Sequence, residues 1–445
     1  MKRSMGSQVA MMLLVTSVFV TPQIVVARPA PLASSIATIQ MDTGQRSNPS
    51  GVASVVFRQR LDIAPEAPWI RLFFSSATLT GGSWVKVTSL LDGEFQILDA
   101  RTLEEWNLST AFFNGSSLEV ELVAAPHTTG NRLAIERVLV GRSKVESTGL
   151  GVEQPEGICG PDDNRSPFDD AAVARLLTGD INDTTVAFGR VGCTAFLIDR
   201  PQSGSERLFL SAGHCFNAPH TVVQFNVPSS MTNCGLRHPP VKKQFVVNQQ
   251  SVRRQAGGPG NDWAVFVCFP NPNTGKTAYE EQGTTRILAS TIPGGTPALR
   301  EVGYGVDAND GAAGGGNAAC APCNTAGTTG SRNQMGQIAF GTLVGLDGTK
   351  LQYQVDDCGG NSGSPVMLND NVQVIGIDAW SGCELALGFN EATAITHPGL
   401  QAAIATVPGT SDASMVLLVF VLLTAGSWAI VIRRRVWESV KQRSS

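Results

Sequence analysis

The chain has 445 residues, with 33 Lys and Arg against 37 Asp and Glu and a formal net charge of −4. This length allows two or three domains with buried cores and excludes a minimal scaffold. The first 27 residues carry two positive charges and residues 433–445 a net four, so the stretch between them carries −10. This charge argues against a nucleic-acid partner, because phosphate binding needs clustered Lys and Arg. Charged residues make up only 16% of the chain and 47 residues are glycine, as expected for an exported β-rich protein.

The N-terminal segment has the pattern of a secretory signal peptide. A basic start is followed by the uncharged run Val9–Val20 and by small residues before Arg28, so cleavage is expected near Ala27. The apolar run is too short to span a bilayer. Residues 1–27 are therefore assigned to a signal peptide, with an uncleaved anchor as the alternative.

The C-terminal segment has the pattern of a membrane-spanning helix. Residues 413–432 are uncharged and are followed directly by three arginines, and twenty helical residues span about 30 Å, the thickness of a hydrocarbon core. The positive-inside rule assigns residues 433–445 to the cytoplasm and the rest of the mature chain to the outside. This tail resembles the C-terminal sorting tails of exported Gram-negative proteins, but Pro408-Gly409-Thr410 stands where they have Pro-Glu-Pro. We expect a protein at the membrane or cell surface of a Gram-negative bacterium, through a plain anchor or a sorting tail, with release by processing open.

Residues 36–142 contain short β-prone runs separated by turn signals, and this spacing predicts a β-sandwich. The segment has one histidine and no cysteine, so no catalytic constellation is expected in it. It resembles the accessory β-sandwich modules of exported bacterial hydrolases, and a binding, packing, propeptide-like or shielding role stays open. The predicted strands are Val52–Leu61, Trp69–Ser75, Trp84–Leu90, Glu94–Leu98 and Leu118–Val123. Residues 143–185, rich in Asp, Glu, Pro and Gly, are predicted to be a linker that leads into the next domain.

Three strings downstream carry residues suited to nucleophilic catalysis. An apolar strand ends at Ser211-Ala212-Gly213-His214-Cys215, Asp262 opens a second apolar strand, and Ser362 lies in a glycine-rich turn. A histidine can take the proton of a serine hydroxyl, and a carboxylate can orient that histidine. Glycines beside Ser362 allow a sharp turn in which the amides of Gly360 and Ser362 meet at an oxyanion. Each string alone is weak, but their order and separations of 48 and 100 residues together indicate a serine hydrolase.

These strings resemble the signature segments of the chymotrypsin-like (trypsin-like) serine peptidases, in particular the bacterial exported branch that includes the glutamyl endopeptidases. The resemblance covers residues 155–407 and implies an all-β domain of two six-stranded antiparallel barrels with the active site between them. It implies His214 as general base, Asp262 as its orienter, Ser362 as nucleophile, and the amides of Gly360 and Ser362 as oxyanion hole. It further implies a protein or peptide substrate and no cofactor, and no metal is assigned.

The resemblance also implies two disulfides and a substrate-binding strand. Cys193 pairs with Cys215 beside the catalytic histidine, Cys358 pairs with Cys383 beside the specificity pocket, and Val374–Cys383 pairs with substrate backbone. Sequence does not determine how the other cysteines connect. Cys159 with Cys268 is one candidate bridge, and Cys320-Ala321-Pro322-Cys323 is read as a loop-stapling disulfide rather than half of a zinc site. The unassigned cysteines are Cys159, Cys234, Cys268, Cys320 and Cys323.

Two acids bear on substrate choice. Asp356 lies six residues before Ser362, where trypsin-like enzymes place the acid that selects Arg or Lys. Asp378 falls close to the position at which glutamyl endopeptidases have the histidine that binds a glutamate side chain. Both acids favour a basic side chain, although glutamate and small or apolar side chains stay open and Asp356-Asp357 also fits a solvated turn. Asn361 stands before the nucleophile, so a pocket assembled without insertion of an N-terminal amine is expected.

The sequence as a whole predicts an exported serine endopeptidase with an N-terminal β-sandwich, a double-barrel protease domain and a C-terminal transmembrane helix. One rival is a catalytically silent relative that binds at the cell surface. A second rival keeps the three groups and acts as an esterase.

Overall fold

The computed structural model describes residues 30–142, 157–160, 163–179, 182, 190–199, 207–216, 219–306, 332–383 and 388–407. The predicted signal peptide, the predicted span 413–432 with its basic tail, and Cys320 and Cys323 lie outside these residues. None of the helices in the described ranges has the length and apolarity needed to cross a membrane.

Residues 34–142 form two antiparallel sheets. The elements of the N-terminal region are β1 (Ala30–Pro31), β2 (Ser34–Asp42), β3 (Arg46–Asn48), β4 (Ser54–Asp62), β5 (Trp69–Thr78), β6 (Trp84–Ser89), β7 (Phe95–Asp99), α1 (Ala100–Glu105), β8 (Phe113–Asn114), β9 (Ser117–Ala124) and β10 (Thr128–Gly141). One sheet has the order β2-β10-β5-β8, with β3 also paired to β10, and the other has the order β4-β9-β6-β7. The two-residue period of a strand places alternate side chains on one face, and in β6 these are the buried Val85, Val87 and Ser89. Buried side chains of both sheets belong to one hydrophobic core, so this region packs as two layers.

Residues 166–406 form two further antiparallel sheets and two short helices. Their elements are β11 (Ser166–Pro167), β12 (Val173–Gly179), β13 (Arg190–Ile198), β14 (Leu208–Ser211), β15 (Thr221–Gln224), β16 (Gln244–Val246), β17 (Arg253–Ala256), β18 (Asp262–Phe266), α2 (Ala278–Gln282), β19 (Ala298–Gly303), β20 (Gln337–Asp347), β21 (Lys350–Gln354), β22 (Pro365–Leu368), β23 (Val374–Trp380), β24 (Asn390–Ala394) and α3 (Pro398–Thr406). The two strands β11 and β12 lie within 143–185, the range predicted to hold the linker and the start of this domain.

The first of these sheets follows the path β16-β15-β12-β13-β14-β18-β17, with β1 paired to β13. The second follows β20-β19-β22-β23-β24-β21 and closes through pairing of β21 with β20, which makes a six-stranded barrel. The predicted two-barrel fold is therefore confirmed, with a seven-strand path in the described part of the first barrel. The proposed histidine and aspartate lie on the first barrel and the proposed nucleophile on the second.

The N-terminal sheets pack directly on the first barrel. The backbone N–H of Phe112 donates to Gln244 Oε1 at 3.0 Å, and Gln244 Nε2 donates to the carbonyl of Phe112 at 2.8 Å. The ring of Phe112 also stacks on His238, with centroids 4.6 Å apart. Val222 and Leu236 of the barrel belong to the same hydrophobic core as the N-terminal sheets. The two regions therefore share a core and are fixed to each other.

Candidate active site

His214 is presented by a short turn and held by Asp262. Strand β14 ends at Ser211, and a single 3-10 turn, Gly213–Cys215, follows it. Only glycine fits at 213, because a Cβ there would lie 1.9 Å from the carbonyl oxygen of Gln255. Asp262 opens β18 and is 2% exposed. Its Oδ2 lies 2.6 Å from His214 Nδ1, and its Oδ1 accepts from the backbone N–H of His214 at 3.0 Å.

This geometry orients the imidazole. Both carboxylate oxygens are used on one residue, which holds the ring plane and favours the tautomer with the proton on Nδ1. Nε2 is then the nitrogen that can accept a proton. Thr393 of the second barrel exchanges two hydrogen bonds with the backbone of Asp262, of 2.9 and 2.8 Å, so the orienting acid is also tied to the barrel that carries Ser362.

The Ser362 turn has the backbone geometry of an anion site. Gly360 and Gly363 have φ of +102° and +93°, in the left-handed region that favours glycine. The carbonyl of Gly359 accepts from Val306 N at 2.8 Å and the carbonyl of Asn361 from Ser364 N at 2.7 Å. Because the C=O and N–H of one trans peptide unit point in opposite directions, the amides of Gly360 and Ser362 point away from these partners. The predicted oxyanion hole requires these two N–H groups to face one acceptor.

Thr194 of β13 joins this turn to the first barrel. Its backbone N–H donates to the carbonyl of Ser362 at 2.9 Å, and its hydroxyl donates to the carbonyl of Gly360 at 2.9 Å. The sulfur of Cys215, next to His214 in the chain, lies 3.7 Å from the same carbonyl of Ser362. Asp262 thus contacts His214, and the turn of Ser362 lies against the segment that carries His214.

One implied disulfide is confirmed and the other is wrong. Cys193 is bonded to Cys215, which ties β13 to the turn of His214. Cys383 is bonded to Cys159, 224 residues away, and not to Cys358, which takes part in a different disulfide. The segment at 157–160 pairs Gly157 with Asp357 in a β-bridge, and this path brings Cys159 to Cys383. This bond also rules out the candidate bridge from Cys159 to Cys268.

The carboxylate of Asp356 is engaged by the same segment. Its Oδ1 accepts from Cys159 N and its Oδ2 from Asn164 N, each at 2.7 Å, and the residue is 1% exposed. Burial raises the pKa of Asp356, while the two amide hydrogen bonds oppose that rise. The sequence predicts this acid at the base of a pocket, but its two oxygens accept hydrogen bonds from the backbone of Cys159 and Asn164.

Three other acids form a buried cluster behind Ser362, called here the carboxylate cluster: Glu301 of β19, Asp357, and Asp378 of β23. Each is at most 3% exposed, and one oxygen from each lies within 4.8 Å of the others. Burial raises the pKa of Glu301 and Asp357 well above their usual range, and the neighbouring carboxylates add to the effect. Burial also raises the pKa of Asp378 to about 6, although the hydrogen bond from Tyr353 opposes it.

The carboxylate cluster is only partly hydrogen-bonded. Tyr353 donates to Asp378 at 2.6 Å, Ser381 donates to Asp357 at 2.6 Å, and Asn361 Nδ2 donates to Glu301 Oε1 at 3.1 Å. Among the described residues, Glu301 Oε2 and Asp357 Oδ2 have no hydrogen-bond partner. Buried carboxylates in this state attract a cation or a proton.

Sequence reasoning found only part of this cluster. It named Asp378 and read Asp357 as one half of a possible solvated turn, and it missed Glu301. The available signal was an acid that alternates with the apolar residues of the strand Ala298–Gly303, where a buried charge needs an explanation.

In the part of the chain that the structure describes, two groups of side chains have the donor types of a metal site. Cys193, His214 and Cys215 lie together, but both sulfurs are used in the disulfide and are not available as ligands. The carboxylate cluster offers only oxygen donors, which suit a hard metal ion or an organic cation.

Comparison with known proteins agrees with this geometry. Residues 180–396 match the family model described as Trypsin, and they form a trypsin-like serine peptidase domain with the chymotrypsin fold. No curated protein matches the chain.

Similar solved structures include serine proteases and inactive relatives. A Glu endopeptidase in complex with MPD is 15% identical with a TM-score of 0.39, and covers 56% of this chain and 97% of its own. The thermostable serine protease AL20 from an extremophilic microorganism is 14% identical with a TM-score of 0.37, and covers 53% and 95%. An inactivated protease paralogue of the scabies mite is 13% identical with a TM-score of 0.33, and covers 55% and 96%.

Proposed function

We propose that this protein is a serine endopeptidase in which Ser362 is the nucleophile, His214 the general base and Asp262 its orienter. The observation that carries the proposal is the pair of contacts from Asp262 to His214, of 2.6 and 3.0 Å, beside a turn that carries a serine between two positive-φ glycines. A protein that only binds does not need a buried acid devoted to one histidine.

The mechanism follows from this arrangement. Ser362 Oγ attacks the carbonyl carbon of the scissile bond while its proton passes to His214 Nε2, and the resulting oxyanion is bound by the amides of Gly360 and Ser362. His214 then gives the proton to the leaving amine as the C–N bond breaks. Water, deprotonated by the same histidine, attacks the acyl-enzyme and restores the serine. No cofactor takes part in these steps.

We propose a preference for Arg or Lys before the scissile bond, supported by the carboxylate cluster. An Arg or Lys side chain would provide the cation that the orphaned oxygens of Glu301 and Asp357 lack. Asp378, which the sequence also linked to a basic side chain, belongs to the same cluster. The occupied oxygens of Asp356 argue that this acid shapes the pocket through its bonds to Cys159 and Asn164 and does not contact substrate.

We also propose that the two N-terminal sheets are an accessory β-sandwich domain and that the protein acts outside the cytoplasm. The common core of the sheets and the disulfides Cys193–Cys215 and Cys159–Cys383 support these points. Anchoring through residues 413–432 remains part of the proposal. It predicts that the full-length protein stays with membranes after alkaline carbonate washing, whereas a chain ending at residue 407 does not.

The activity is tested with a fluorophosphonate that labels activated serines. We expect labelling of the wild-type protein, none of Ser362→Ala, and labelling at normal rate of the matched control Ser229→Ala, an exposed serine outside the site. Labelled protein should also cleave a peptide pool. Absence of labelling in folded, disulfide-bonded protein would favour the catalytically silent relative, and turnover of esters without turnover of peptides would favour an esterase.

A further inference from the structure

The N-terminal strand β1 lies next to the proposed oxyanion turn. Ala30 is fully buried, and a Cβ placed on Gly360 would lie 3.2 Å from the Cβ of Ala30. The backbone of β1 pairs antiparallel with β13, with Ala30 opposite Gly192 and Pro31 opposite Val191. A strand from the beginning of the described chain is therefore inserted beside residues that the proposed mechanism uses.

Strand β1 lies on the side of the Ser362 turn that faces the first barrel. The carboxylate cluster and the strand Val374–Cys383, proposed to hold the acyl side of a substrate, contact the turn from the second barrel. The first barrel meets the turn through Thr194, which follows Gly192 by two residues and binds the carbonyls of both Gly360 and Ser362. A peptide that extends past the scissile bond must therefore run along β13, where an extended chain can add to the sheet edge by backbone pairing.

We infer that β1 occupies the leaving-group side of the cleft as an intramolecular ligand and restrains cleavage of extended peptides until it is displaced. This inference rests on the proposed function. The surface formed by Val191, Gly192 and Gly360 takes an extended peptide segment, and in the intact chain that segment is Ala30–Pro31.

The connection to the N-terminal sheets makes this ligand effective. Leu32 is fully buried in the core of those sheets, only two residues after Ala30. Those sheets are themselves bonded to the first barrel through Phe112 and Gln244. A ligand on so short a tether has an effective concentration of roughly millimolar or more, so a free peptide competes poorly with it. A substrate with a small leaving group does not need the edge of β13 and does not compete.

The experiment compares two substrates that share the residues before the scissile bond. One is a peptide with four residues after the bond, and the other ends in p-nitroanilide. The test variant is Ala30→Trp in the full chain, because a fully buried alanine beside Gly360 leaves no room for an indole. Ala30→Asp is the second variant, and Thr38→Trp, at an exposed position of β2, is the matched control. Thermal melting confirms that each variant is folded.

We expect both Ala30 variants to raise kcat/KM for the extended peptide by about tenfold, mainly through a lower KM, as expected for removal of a competing ligand. Turnover of the p-nitroanilide and fluorophosphonate labelling should change by less than about twofold, as should both activities of Thr38→Trp. Unchanged or lower turnover of the extended peptide, with normal labelling, would overturn the restraint and leave the proposed function intact. Absence of labelling in every variant would overturn both.

Discussion

Two regions of this molecule bury charge in opposite ways. At the boundary between the N-terminal sheets and the first barrel, Arg71 and Arg175 are fully buried and donate to neutral acceptors. Arg71 donates to the carbonyls of Thr110 and His220. Arg175 donates to Gln224 Oε1 and to the carbonyls of Gln334 and Arg237. In the pocket, the three acids of the carboxylate cluster face one another, and two oxygens have no partner among the described residues.

This difference in hydrogen bonding assigns the two arginines a role in stability, whereas the carboxylate cluster is proposed to bind substrate. Burial lowers the pKa of each arginine to about 9, which still leaves it charged at neutral pH and held by a complete set of acceptors. The acids raise one another's pKa, and two of their oxygens lack donors among the described residues, so the cluster is left short of positive charge. A buried group with all its hydrogen bonds stabilises the fold, whereas one that lacks them is better explained by a ligand.

Arg71→Met gives the largest expected effect on stability. The substitution leaves the carbonyls of Thr110 and His220 buried without their donor, and each such group costs roughly 1–3 kcal/mol. We expect a loss of about 3 kcal/mol in the free energy of unfolding, measured by urea denaturation, with unchanged preference among peptide substrates. The control Arg101→Met, whose side chain is 69% exposed, should change stability by less than about 0.5 kcal/mol. A small effect at Arg71 would mean that this buried charge is not structural.

Asp378→Asn tests the proposed role of the carboxylate cluster in substrate binding. The variant keeps the size of the side chain and removes its charge, so kcat/KM for a peptide with Arg before the scissile bond should fall about 100-fold, or about 2.7 kcal/mol of transition-state binding. The matching peptide with Gln in that place should be affected much less. Asp347→Asn, at a side chain that is 79% exposed, is the control and should leave both rates unchanged. Equal losses for Arg and Gln peptides would assign Asp378 a structural role.

The next largest effect is expected in the pH dependence of the preference for Arg over Gln peptides. Asp378 has a pKa near 6, so it gains a proton as the pH falls through that value and its attraction for a cation weakens. We expect the ratio of kcat/KM for Arg and Gln peptides to fall by about tenfold between pH 7.5 and 5. The ratio cancels the titration of the general base, which both substrates share. A ratio that stays constant across this range would contradict the assignment.

Glu301→Gln should produce the smallest effect, and in the stabilising direction. Because the pKa of Glu301 is raised above its ordinary value of 4.5, folding opposes its ionisation, and this cost is present at neutral pH and disappears as the pH falls towards 4.5. We therefore expect the variant to be more stable than the wild type by about 1 kcal/mol at pH 7 and equally stable near pH 4.5. Glu104→Gln, at an exposed position, is the control. Destabilisation at pH 7 would mean that the protein without substrate already stabilises the Glu301 side chain in its folded environment.

Local signals explain what the sequence could predict. The strings at His214, Asp262 and Ser362 combine strand ends, small residues and one reactive group within a few positions, and the structure brings them together. The five predicted strands in residues 36–142 all overlap observed strands, because alternation and turn residues are local patterns. Strand β10 was not predicted, because Arg132, Glu136 and Arg137 interrupt its apolar pattern. Its extended conformation is stabilised by pairing with β2 and β5.

The rest depends on contacts between distant residues. Cys159 and Cys383 are 224 residues apart, and only the path of the segment at 157–160 brings them together. Glu301 reaches Asp357 and Asp378 only because β19 and β23 both flank β22 in the closed barrel. No spacing rule in a single sequence reports such proximity, so the sequence pointed to Asp356 and Asp378 but gave no sign that Glu301 lies beside Asp357 and Asp378.

The most direct test of the account is the cleavage of a peptide library with every amino acid represented, analysed by mass spectrometry of the products. We predict cuts after Arg or Lys that are abolished in Ser362→Ala, because in the proposed mechanism Ser362 is the nucleophile and the carboxylate cluster binds the basic side chain. Cuts that depend on Ser362 but follow glutamate or apolar residues would contradict the pocket, and the absence of Ser362-dependent cuts would contradict the proposed enzyme.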